Sequence, residues 1–504
     1  MARHTELERK YDADADFVLP DLRKAHVRVG EPATHTLQAR YFDTEDLRLA
    51  ARGITLRRRQ GGDDAGWHLK LPAGENTKRE IQLPLGDGGE ETVPAELATL
   101  VTARTRGRPL VPVAEVETRR IERPLLGKKG RVLAKLADDT VHAHPFGRSG
   151  GEVRLMAWRE IEIEAVTASD DFLAAVGDHL LGAGARESAA RSKLARTLEA
   201  VPSADRPVDT GTAGGVLVTN LAEHVDTMLA NDPLVRLADH DDDTVHKMRV
   251  AVRRIRSLLR THRRMIDPAR VAGLDTELKW LADALGEVRD LEVLRARFEQ
   301  RLADLPDADQ RPTWLAAMAE EELRNRDRLR ETLSSPRYVA LLDALDTFLA
   351  SPPLVGDRAG RRSRRETAKT VDKAWRTMLR RHARAAELSP GPARDAALHG
   401  TRKAAKRARY TAEAAVPALG SPAKKLARRA KRLQGILGAH QDGVIAAERL
   451  GEVARRPGTP PAEAFAAGRL AEREERGRER ELRDLPAAVK KAAKRRPLRA
   501  LRGK

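Results

Sequence analysis

The sequence predicts an α+β protein in which a segment of short antiparallel strands precedes an all-helical segment. In residues 1–200, apolar and polar side chains alternate with the period of two that is typical of strands. After residues 201–215, which are rich in Pro, Gly, Thr and Asp, the period changes to the 3.6 residues of a helix. The helical segment contains an internal repeat. We therefore expect a domain at 1–200, a flexible linker at 201–215, a duplicated helical domain at 216–486 and a basic tail at 487–504.

Composition narrows the possible chemistry. The chain has no cysteine, which excludes disulfides, thiolate metal sites and a cysteine nucleophile. Aromatic residues make up 3% of the chain, so the cores must be built from Leu, Val, Ala and Ile. No apolar run approaches the roughly 20 residues of a membrane helix. The N-terminus has no signal-peptide core. We expect a soluble, cytoplasmic protein.

The net charge is distributed unevenly. Residues 1–200 contain equal numbers of basic and acidic side chains, so the whole excess of +19 lies after residue 200. Such a field attracts polyanions, namely nucleic acid, an anionic membrane surface or polyphosphate.

Eight strands are predicted in the first segment, with turns rich in Gly and Asp between them. Two helices are expected, near residues 14–28 and 169–181. This number of strands favours an antiparallel barrel or sandwich. The predicted strands are Thr5–Tyr11, Thr36–Phe42, Ile54–Gln60, Trp67–Leu71, Lys78–Leu83, Val113–Leu125, Arg131–Val141 and Trp158–Ala165.

The first strand carries Glu6, Glu8 and Lys10 on one face, because side chains alternate along a strand. The two carboxylates repel each other unless a cation lies between them, and a hard divalent ion suits such a pair. Lys10 can hold an anion that the metal also holds, and a phosphate chain is the obvious candidate. This face is either exposed to solvent or lines an internal channel.

Other strands repeat this arrangement of one apolar and one charged face. Arg57 and Arg59 share a face, and so do Glu160, Glu162 and Glu164. Arginine binds phosphate oxygens in a bidentate manner. Acidic sets near both ends of the segment, together with these arginines, favour a channel.

Residues 1–200 resemble a CYTH domain of the triphosphate tunnel metalloenzyme family. The resemblance rests on motifs that follow the family's order through almost the whole segment. They are Glu6-x-Glu8-x-Lys10, Tyr41-Phe42-Asp43-Thr44, Leu56-Arg57-Arg58-Arg59, Trp67-x-Leu69-Lys70, Thr118-x-Arg120, Asp138-Asp139, Glu160-x-Glu162-x-Glu164 and Ser192-Lys193. The resemblance implies an eight-stranded antiparallel β tunnel with flanking helices that acts on triphosphate compounds with Mg²⁺ or Mn²⁺.

The family's site residues transfer to matching positions of this chain. The implied metal ligands are Glu6, Glu8, Asp139, Glu160 and Glu162, and Asp138 remains an alternative to Asp139. The implied triphosphate contacts are Lys10, Arg57, Arg59, Lys70, Lys78, Arg120 and Lys193, and Glu6, Glu8 and Lys10 form the predicted catalytic set. The strand Lys78-Arg79-Glu80-Ile81-Gln82 departs from the family's pattern, because Lys78 replaces an Arg and Gln82 replaces the final acid. The role of Glu80 therefore remains open.

The repeat in the helical segment places basic residues in the same register twice. His246, Arg249, Arg253 and Arg256 recur 153 residues later as His399, Arg402, Lys406 and Arg409. Further on, Gly286-x-x-x-Asp290 recurs as Gly438-x-x-x-Asp442. Each basic set occupies one side of a helix next to an apolar stripe. Like charges at this spacing destabilise a helix unless an anion neutralises them. A basic face that only improves solubility is the alternative.

This half resembles a CHAD domain. The resemblance rests on the two His-centred motifs and on the repeated Gly-x-x-x-Asp motif. The resemblance implies two pseudo-symmetric four-helix bundles whose basic surface binds inorganic polyphosphate. It makes His246, Arg249, Arg253, Arg256, His399, Arg402, Lys406 and Arg409 the expected contacts. The basic tail is interpreted as a disordered arm that adds polyanion attraction.

The sequence thus predicts a metal-dependent triphosphatase whose helical domain binds polyphosphate. A non-catalytic polyphosphate-binding or scaffold protein is the alternative. Specific nucleic-acid binding is disfavoured, because no helix-turn-helix, zinc finger or aromatic stacking platform is evident. Adenylate cyclase activity, which occurs in relatives of the first domain, ranks low because no feature would recognise a purine.

Overall fold

The computed structural model divides the chain into two compact units, Met1–Asp205 and Arg206–Lys504. It describes residues 2–25, 27–74, 76–86, 89, 91–127, 130–146, 154–198, 201, 208–237, 242–304, 312–494 and 496–501. Residues 202–207 of the predicted linker lie outside the described residues, and so does the glycine-rich turn at 147–151.

The first unit is a closed antiparallel barrel. Its eight strands run in the order β1-β6-β5-β4-β3-β7-β8-β9, and pairing of β1 with β9 closes the ring. Two short strands add to its edges, β2 on β7 and β10 on β1. The strands are β1 Ala2–Ala13, β2 Arg28–Val29, β3 Ala33–Asp43, β4 Thr55–Gln60, β5 Gly66–Pro72, β6 Thr77–Leu83, β7 Val111–Leu126, β8 Val132–Pro145, β9 Met156–Ala165 and β10 Arg186–Glu187. The predicted eight-stranded tunnel is confirmed.

Strand register brings charged residues from distant parts of the chain side by side. Lys10 lies opposite Glu162 on β9, and Glu6 lies opposite Lys78 on β6. Asp139 lies opposite Arg120. Directly opposed side chains on one face are in contact range. The register therefore builds oppositely charged pairs on the inner face of the barrel.

The outer face is apolar where a helix covers it. Leu136 and Ile161 of the barrel pack against Leu173, Val176 and Leu180 of α2 in one buried cluster. The helices of this unit are α1 Ala95–Thr105, α2 Asp170–Gly182 and α3 Lys193–Thr197. The helix predicted at 169–181 is confirmed as α2.

The helix expected near residues 14–28 was wrong. In its described residues, that stretch contains only a 3-10 turn at Leu22–Ala25 and the start of strand β2. Pro20 explains the difference, because proline restricts the residue before it to extended conformations and cannot donate a helical hydrogen bond. Helix α1 was not predicted, although Leu97, Leu100 and Val101 are buried at helical spacing.

The second unit is all-helical, as predicted. Its helices are α4 Ala213–Arg236, α5 Asp242–Thr261, α6 Pro268–Ala303, α7 Thr313–Ser334, α8 Pro336–Ala350, α9 Asp357–Gly360, α10 Ser363–Ala386, α11 Pro392–Ala414, α12 Val416–Leu419, α13 Ser421–Arg455, α14 Pro461–Glu481, α15 Leu485–Ala493 and α16 Arg496–Leu501.

The duplication is visible in helix order and length. Helices α4, α5, α6 and α7 have 24, 20, 36 and 22 residues, and their counterparts α10, α11, α13 and α14 have 24, 23, 35 and 21. Side chains of both copies share one core, where Phe298 and Trp314 of the first pack with Leu450 and Leu470 of the second. The core of the second copy is rich in alanine and leucine, as the scarcity of aromatic residues led us to expect.

The C-terminal segment is helical in the described residues, so its interpretation as a disordered arm was wrong there. Leu485, Ala488 and Ala492 of α15 are buried in the core of the second copy. Trp375 donates a hydrogen bond from Nε1 to the carbonyl oxygen of Ala492 at 3.1 Å. Apolar residues at helical spacing explain this packing despite the basic composition.

No helix among the described residues is both long and apolar enough to cross a membrane.

Candidate functional site

The barrel encloses a cavity of about 440 Å³. The charged faces that the sequence identified therefore point into a channel instead of into bulk solvent. Ten of the predicted site residues line it: Glu6, Glu8, Lys10, Arg57, Arg59, Lys70, Lys78, Arg120, Glu162 and Lys193. Asp139 and Glu160 lie just behind this lining and contact Lys193.

A first acidic group lies on β1 and β6. His4 Nε2 lies 3.3 Å from Glu6 Oε1 and 3.0 Å from Glu80 Oε2, and both carboxylates are buried. Lys70 donates to Glu6 at 2.6 Å. Burial, together with the hydrogen bond to Glu80, raises the pKa of Glu6 to about 8. Two buried carboxylates this close share either a proton or a cation.

A second acidic group comprises Asp139, Glu160 and Glu162. Lys193 Nζ lies 2.8, 2.7 and 3.0 Å from their carboxylate oxygens. Arg120 adds a bidentate pair to Asp139 at 2.8 and 2.6 Å. Although burial opposes ionisation, the neighbouring cations hold the pKa of Glu162 well below its usual range.

Both groups have the composition of a site for a hard metal ion. His4, Glu6 and Glu80 each offer one ligand atom within 4.8 Å of the others, and so do Asp139, Glu160 and Glu162. Oxygen-rich sets of this kind suit Mg²⁺ or Mn²⁺. Glu8, which was also predicted as a ligand, belongs to neither group.

The structure places Asp138 and Asp139 on opposite faces of β8. Asp138 faces the other side of β8, where it forms a bidentate pair with Arg159 at 2.9 Å for both contacts. Arg159 also donates to the carbonyl oxygen of Phe17 at 2.8 Å. Asp138 therefore anchors a segment outside the barrel, and Asp139 is the carboxylate that points inward.

Glu8 is held by lysines. Lys78 donates to Glu8 at 2.6 Å, and Lys10 lies 3.6 Å from it while donating to Glu162 at 2.5 Å. Burial opposes ionisation of Glu8, but these two ammonium groups lower its pKa to about 2. Lys78, one of the implied triphosphate contacts, thus lies inside the channel.

The arginines of β4 are less fully compensated. Arg57 donates to the hydroxyl of Tyr41 at 3.4 Å, and Arg59 forms an ion pair with Asp64. Burial first, and then the like charges of Arg57 and Arg120, lower the pKa of Arg59 to about 9. An anion in the channel would relieve this repulsion.

A hydrogen bond at the start of α3 positions Lys193. Ser192 is the N-cap residue of this five-residue helix, and its hydroxyl accepts a hydrogen bond from the backbone N–H of Ala195 at 3.1 Å. Such a cap satisfies an N–H that the helix itself cannot pair. The Ser192-Lys193 motif therefore orients the lysine toward the second acidic group.

Sequence reasoning missed the pairing of His68 with Glu80. His68 Nε2 lies 2.9 Å from the carbonyl oxygen of Asp64 and must donate to it. Its Nδ1 lies 2.6 Å from Glu80 Oε1, so that short contact requires a second proton shared by the pair. In alternating strands, His68 shares a face with Lys70, and Glu80 shares a face with Lys78. This alternation gives no sign of the contact between His68 and Glu80 across the strands.

In the helical domain, one arrangement recurs in both copies. Arg249 forms a bidentate pair with Asp290 at 2.7 and 3.1 Å, and Arg402 lies 3.9 Å from Asp442. Each guanidinium also lies against a glycine four residues before the aspartate. A Cβ at Gly286 would lie 3.6 Å from Arg249, and one at Gly438 would lie 3.5 Å from Arg402. The repeated Gly-x-x-x-Asp motif therefore packs against an arginine in each copy and places an aspartate beside its guanidinium group.

Cations from the two copies influence one another. Burial, together with the positive charges of Arg253, Arg402 and Arg249, lowers the pKa of Lys406 to about 7. Burial also lowers the pKa of Arg253. Among the described residues, neither Arg253 nor Lys406 forms an ion pair with a carboxylate. We call Arg249, Arg253, Arg402 and Lys406 the central cation cluster.

The remaining predicted contacts are placed differently. Arg256 pairs with Asp275 at 3.1 Å, and Arg409 pairs with Glu413 at 2.7 Å, so both guanidinium groups have carboxylate partners. His246 on α5 remains accessible to solvent, but partial burial of its ring and the positive charge of Arg289 lower its pKa. Burial likewise lowers the pKa of His399 on α11. Neither histidine lies in a metal-binding group of the described residues.

Comparison with known proteins agrees with this division into two domains. Residues 4–197 match the model of the CYTH domain, and residues 219–451 match that of the CHAD domain. The uncharacterised protein Rv2226 of Mycobacterium tuberculosis (strain ATCC 25618 / H37Rv) is 38% identical, over 97% of this chain and 98% of its own length.

Solved structures also resemble the separate parts. The CHAD domain from the plant Ricinus communis is 25% identical, with a TM-score of 0.46, and the match covers 56% of this chain and 94% of that one. A putative adenylyl cyclase from Hippeastrum, described as having a dominant triphosphatase activity, is 16% identical with a TM-score of 0.25. That match covers 39% of this chain and 95% of that one.

Proposed function

The chain belongs to the proteins in which a CYTH domain is followed by a CHAD domain, and we propose that its barrel hydrolyses a triphosphate compound with a divalent metal ion while its helical domain binds inorganic polyphosphate. The observation that carries the proposal is the enclosed channel, where cations and carboxylates from seven of the eight barrel strands and from α3 meet in about 440 Å³.

The charges of the channel suit a metal–phosphate complex better than either partner alone. Phosphate oxygens need cationic groups, and a divalent ion needs carboxylates. Both kinds are present in the described channel, and most of them are paired with one another. Lys70 holds Glu6, Lys78 holds Glu8, and Lys193 holds the second acidic group.

Substrate binding then proceeds by exchange of partners. Lys10, Lys70, Lys78 and Lys193 leave their carboxylates for phosphate oxygens, and the released carboxylates become available to a metal ion. Because each ammonium exchanges one anionic oxygen for another, the exchange adds no unpaired buried charge. The two acidic groups, with His4 and Glu80 added to the predicted set, are the residues that would hold the ion.

Arg57 and Arg59 are suited to the phosphoryl group on which charge develops. Both lie in the channel, and burial, followed by the like charges of Arg57 and Arg120, lowers the pKa of Arg59. Preorganised donors of this type stabilise the transition state of phosphoryl transfer more than the ground state. A divalent ion, when bound, neutralises charge on the phosphates and acidifies a water molecule for attack. The bond that breaks is a phosphoanhydride.

The central cation cluster supports the second part of the proposal. A long polyphosphate carries regularly spaced negative charges and no groups that require specific hydrogen-bond donors. Arg253 and Lys406 are half-buried and lack carboxylate partners in the described chain, so a polyanion relieves their mutual repulsion. The whole net charge of +19 lies in this half of the sequence and attracts the same ligand.

Phosphate release from the purified full-length protein tests the proposal. The substrates are inorganic triphosphate, ATP and long-chain polyphosphate, each with Mg²⁺, Mn²⁺ or EDTA, and cyclic AMP is measured in the ATP reaction. We expect metal-dependent release from triphosphate and its loss, by at least about 100-fold, in the Glu6→Gln/Glu8→Gln variant.

The matched control is Glu117→Gln, which removes an exposed carboxylate from the outer face of β7. Its activity should equal that of the wild type. If no substrate releases phosphate while polyphosphate still binds tightly, the chain is a polyphosphate-binding scaffold. If duplex DNA displaces polyphosphate from the helical domain, the polyphosphate assignment is wrong.

A further inference from the structure

A second basic cavity lies in the helical domain and shares no lining residue with the central cation cluster. Its volume is about 730 Å³, and it lies between the end of α5, the start of α6, and helices α10 and α11. None of the eight residues expected to contact polyphosphate lines it. It is therefore a separate feature of the fold.

Cations dominate the lining of this cavity. Nine lysine and arginine side chains face two carboxylates, Asp275 and Glu366. Both carboxylates already have partners, because Asp275 pairs with Arg260 at 2.8 Å and Glu366 pairs with Lys369 at 2.9 Å. The remaining cations therefore create a strongly positive potential inside a concave surface, where field lines are focused.

Three of these cations are placed to meet a ligand. Lys373 on α10 and Lys403 and Arg407 on α11 are exposed, and no carboxylate of the described residues lies within ion-pair distance of them. Along a helix, Lys403 and Arg407 are four residues apart and occupy the same side. That side is adjacent to the one carrying Arg402 and Lys406, so α11 presents cations in two directions.

Comparison of the two copies indicates that the basic lining of the cavity does not come from the repeated sequence, because the first copy lacks most of these cations. Helices α4 and α10 correspond at an offset of 150 residues, and α5 and α11 at 153. Where the second copy carries Lys369, Lys373, Arg381 and Lys403, the first carries Thr219, Glu223, Asn231 and Val250. At Arg407 the first copy has Arg254, which pairs with Glu413 at 2.8 Å.

A basic surface that only aids solubility does not require this pattern. Solubility is served by cations spread over convex surface, with both signs interspersed. Here the cations converge on one concavity, and the equivalent face of the first copy lacks most of them. The central cluster, in contrast, keeps its basic residues in both copies.

We propose that this cavity is a separate binding site for a small, multiply phosphorylated anion. Its volume lies in the range of roughly 300–1,000 Å³ that holds small molecules. Arginine and lysine supply the charge-assisted hydrogen bonds that phosphate oxygens accept. Such an anion is either an inorganic oligophosphate or a nucleotide. Val271 and Ala272 in the lining give a nucleoside an apolar surface that an inorganic chain does not need.

Hydrogen–deuterium exchange of the full-length protein in EDTA tests this site directly. The probes are inorganic tripolyphosphate and ATP. Helix α10 is the reporter, because none of the predicted polyphosphate contacts lies on it. We expect either probe, or both, to slow exchange in residues 363–386 in a saturable manner. Stronger protection by ATP identifies a nucleotide site, and stronger protection by tripolyphosphate identifies an oligophosphate site.

Three double variants make the result specific. Lys373→Ala/Arg407→Ala should raise the concentration for half-maximal protection of α10 by about tenfold or more, since two charge-assisted contacts are lost. Lys424→Ala/Arg428→Ala removes the same two charges from an exposed face of α13 and should change nothing. Arg253→Ala/Lys406→Ala, in the central cluster, should leave the protection of α10 unchanged.

Each other outcome overturns the proposal. Absence of protection at saturating probe shows that the cavity binds neither anion. Equal weakening by the cavity pair and the α13 pair shows that the attraction comes from the overall charge. Loss of protection in the central-cluster variant shows that α10 responds to binding at the other site. Because none of these readouts uses hydrolysis or long polyphosphate, the result is independent of the function proposed above.

Discussion

Lys406 titrates near neutral pH, because burial and three neighbouring arginines lower its pKa to about 7. Its ammonium form, the one that would attract polyphosphate under the proposed function, predominates below this pH and is lost above it. We therefore expect the affinity for polyphosphate to fall as pH rises from about 7, by at most tenfold per pH unit. The dissociation constant should be measured between about pH 6 and 9 at fixed ionic strength.

Lys406→Arg is the decisive variant for this pH dependence. Arginine keeps its charge over the whole range, so the variant should bind with little change between neutral and alkaline pH. The outcome that contradicts the assignment is an equally steep pH dependence in the wild type and in the variant.

The raised pKa of Glu6 leads to a different prediction, which concerns the stability of the barrel. Burial raises this pKa from 4.5 to about 8, so the protonated form favours the folded barrel. This contribution is complete below pH 4.5 and is lost as pH rises through 8. In EDTA, the free energy of unfolding of the barrel should fall by about 3 kcal/mol between pH 6 and 9.

Thermal unfolding as a function of pH measures this effect. Mg²⁺ should restore the stability lost at high pH, because binding of a divalent ion to the first acidic group would neutralise its ionised carboxylates and stabilise the folded state. Glu6→Gln, which cannot ionise, should remove the pH dependence in this window. If Mg²⁺ has no effect at pH 9, the first acidic group does not hold the ion.

At the scale of the secondary-structure element, α3 depends on its cap. Ser192→Ala should cost about 1 kcal/mol of stability, because the N–H of Ala195 loses its partner. The larger effect should be on catalysis, since Lys193 begins this helix and would no longer be held toward the second acidic group. We expect a higher KM for triphosphate.

Ser169→Ala is the matched control for the cap. Ser169 is the N-cap residue of α2, but its side chain makes no capping hydrogen bond. Steady-state kinetics of this variant should match the wild type. Equal kinetic effects in both variants would show that the cap of α3 has no particular role in the site.

The elements also show how far the sequence could be interpreted. Period-two alternation located all eight barrel strands and placed Glu6, Glu8 and Lys10 on one face. It left open whether that face meets solvent or a channel, and the acidic sets and arginines of other strands favoured the channel. It could not choose between Asp138 and Asp139, since adjacent residues exchange faces if a strand shifts by one position. The partners across strands, such as His68 with Glu80, depend on barrel closure, which no local pattern encodes.

In the helical half, repetition supplied information that periodicity alone did not. One basic helix face is ambiguous, and the same register in α5 and α11 favoured anion binding over a face that only improves solubility. The structure adds that Arg249 and Arg402 lie against equivalent aspartates. The helical tail shows the opposite case. Its many charges suggested disorder, whereas Leu485, Ala488 and Ala492 bury one face of α15. The charged composition was a misleading guide here, because three apolar residues at helical spacing are enough to pack this helix into the core.

At the scale of the whole molecule, the distribution of charge separates the two proposed activities. The barrel half is electrically neutral overall, whereas the helical half carries the entire excess of +19. Binding of polyphosphate by the helical half should therefore weaken steeply with added salt, because counterion release drives it. Hydrolysis of triphosphate inside the channel should depend less on salt, since its charges are enclosed and screened less.

Two variants of the full-length protein should dissociate these activities. Arg253→Ala/Lys406→Ala should weaken polyphosphate binding by about tenfold or more and leave the hydrolysis of triphosphate unchanged, because its cations lie in the helical unit. Glu6→Gln/Glu8→Gln should abolish hydrolysis and leave polyphosphate binding unchanged. Phosphate release and polyphosphate affinity, measured on the same preparations, check both. A loss of hydrolysis in the cation variant would show that the helical domain takes part in catalysis, and the two units would then have to be treated as one enzyme.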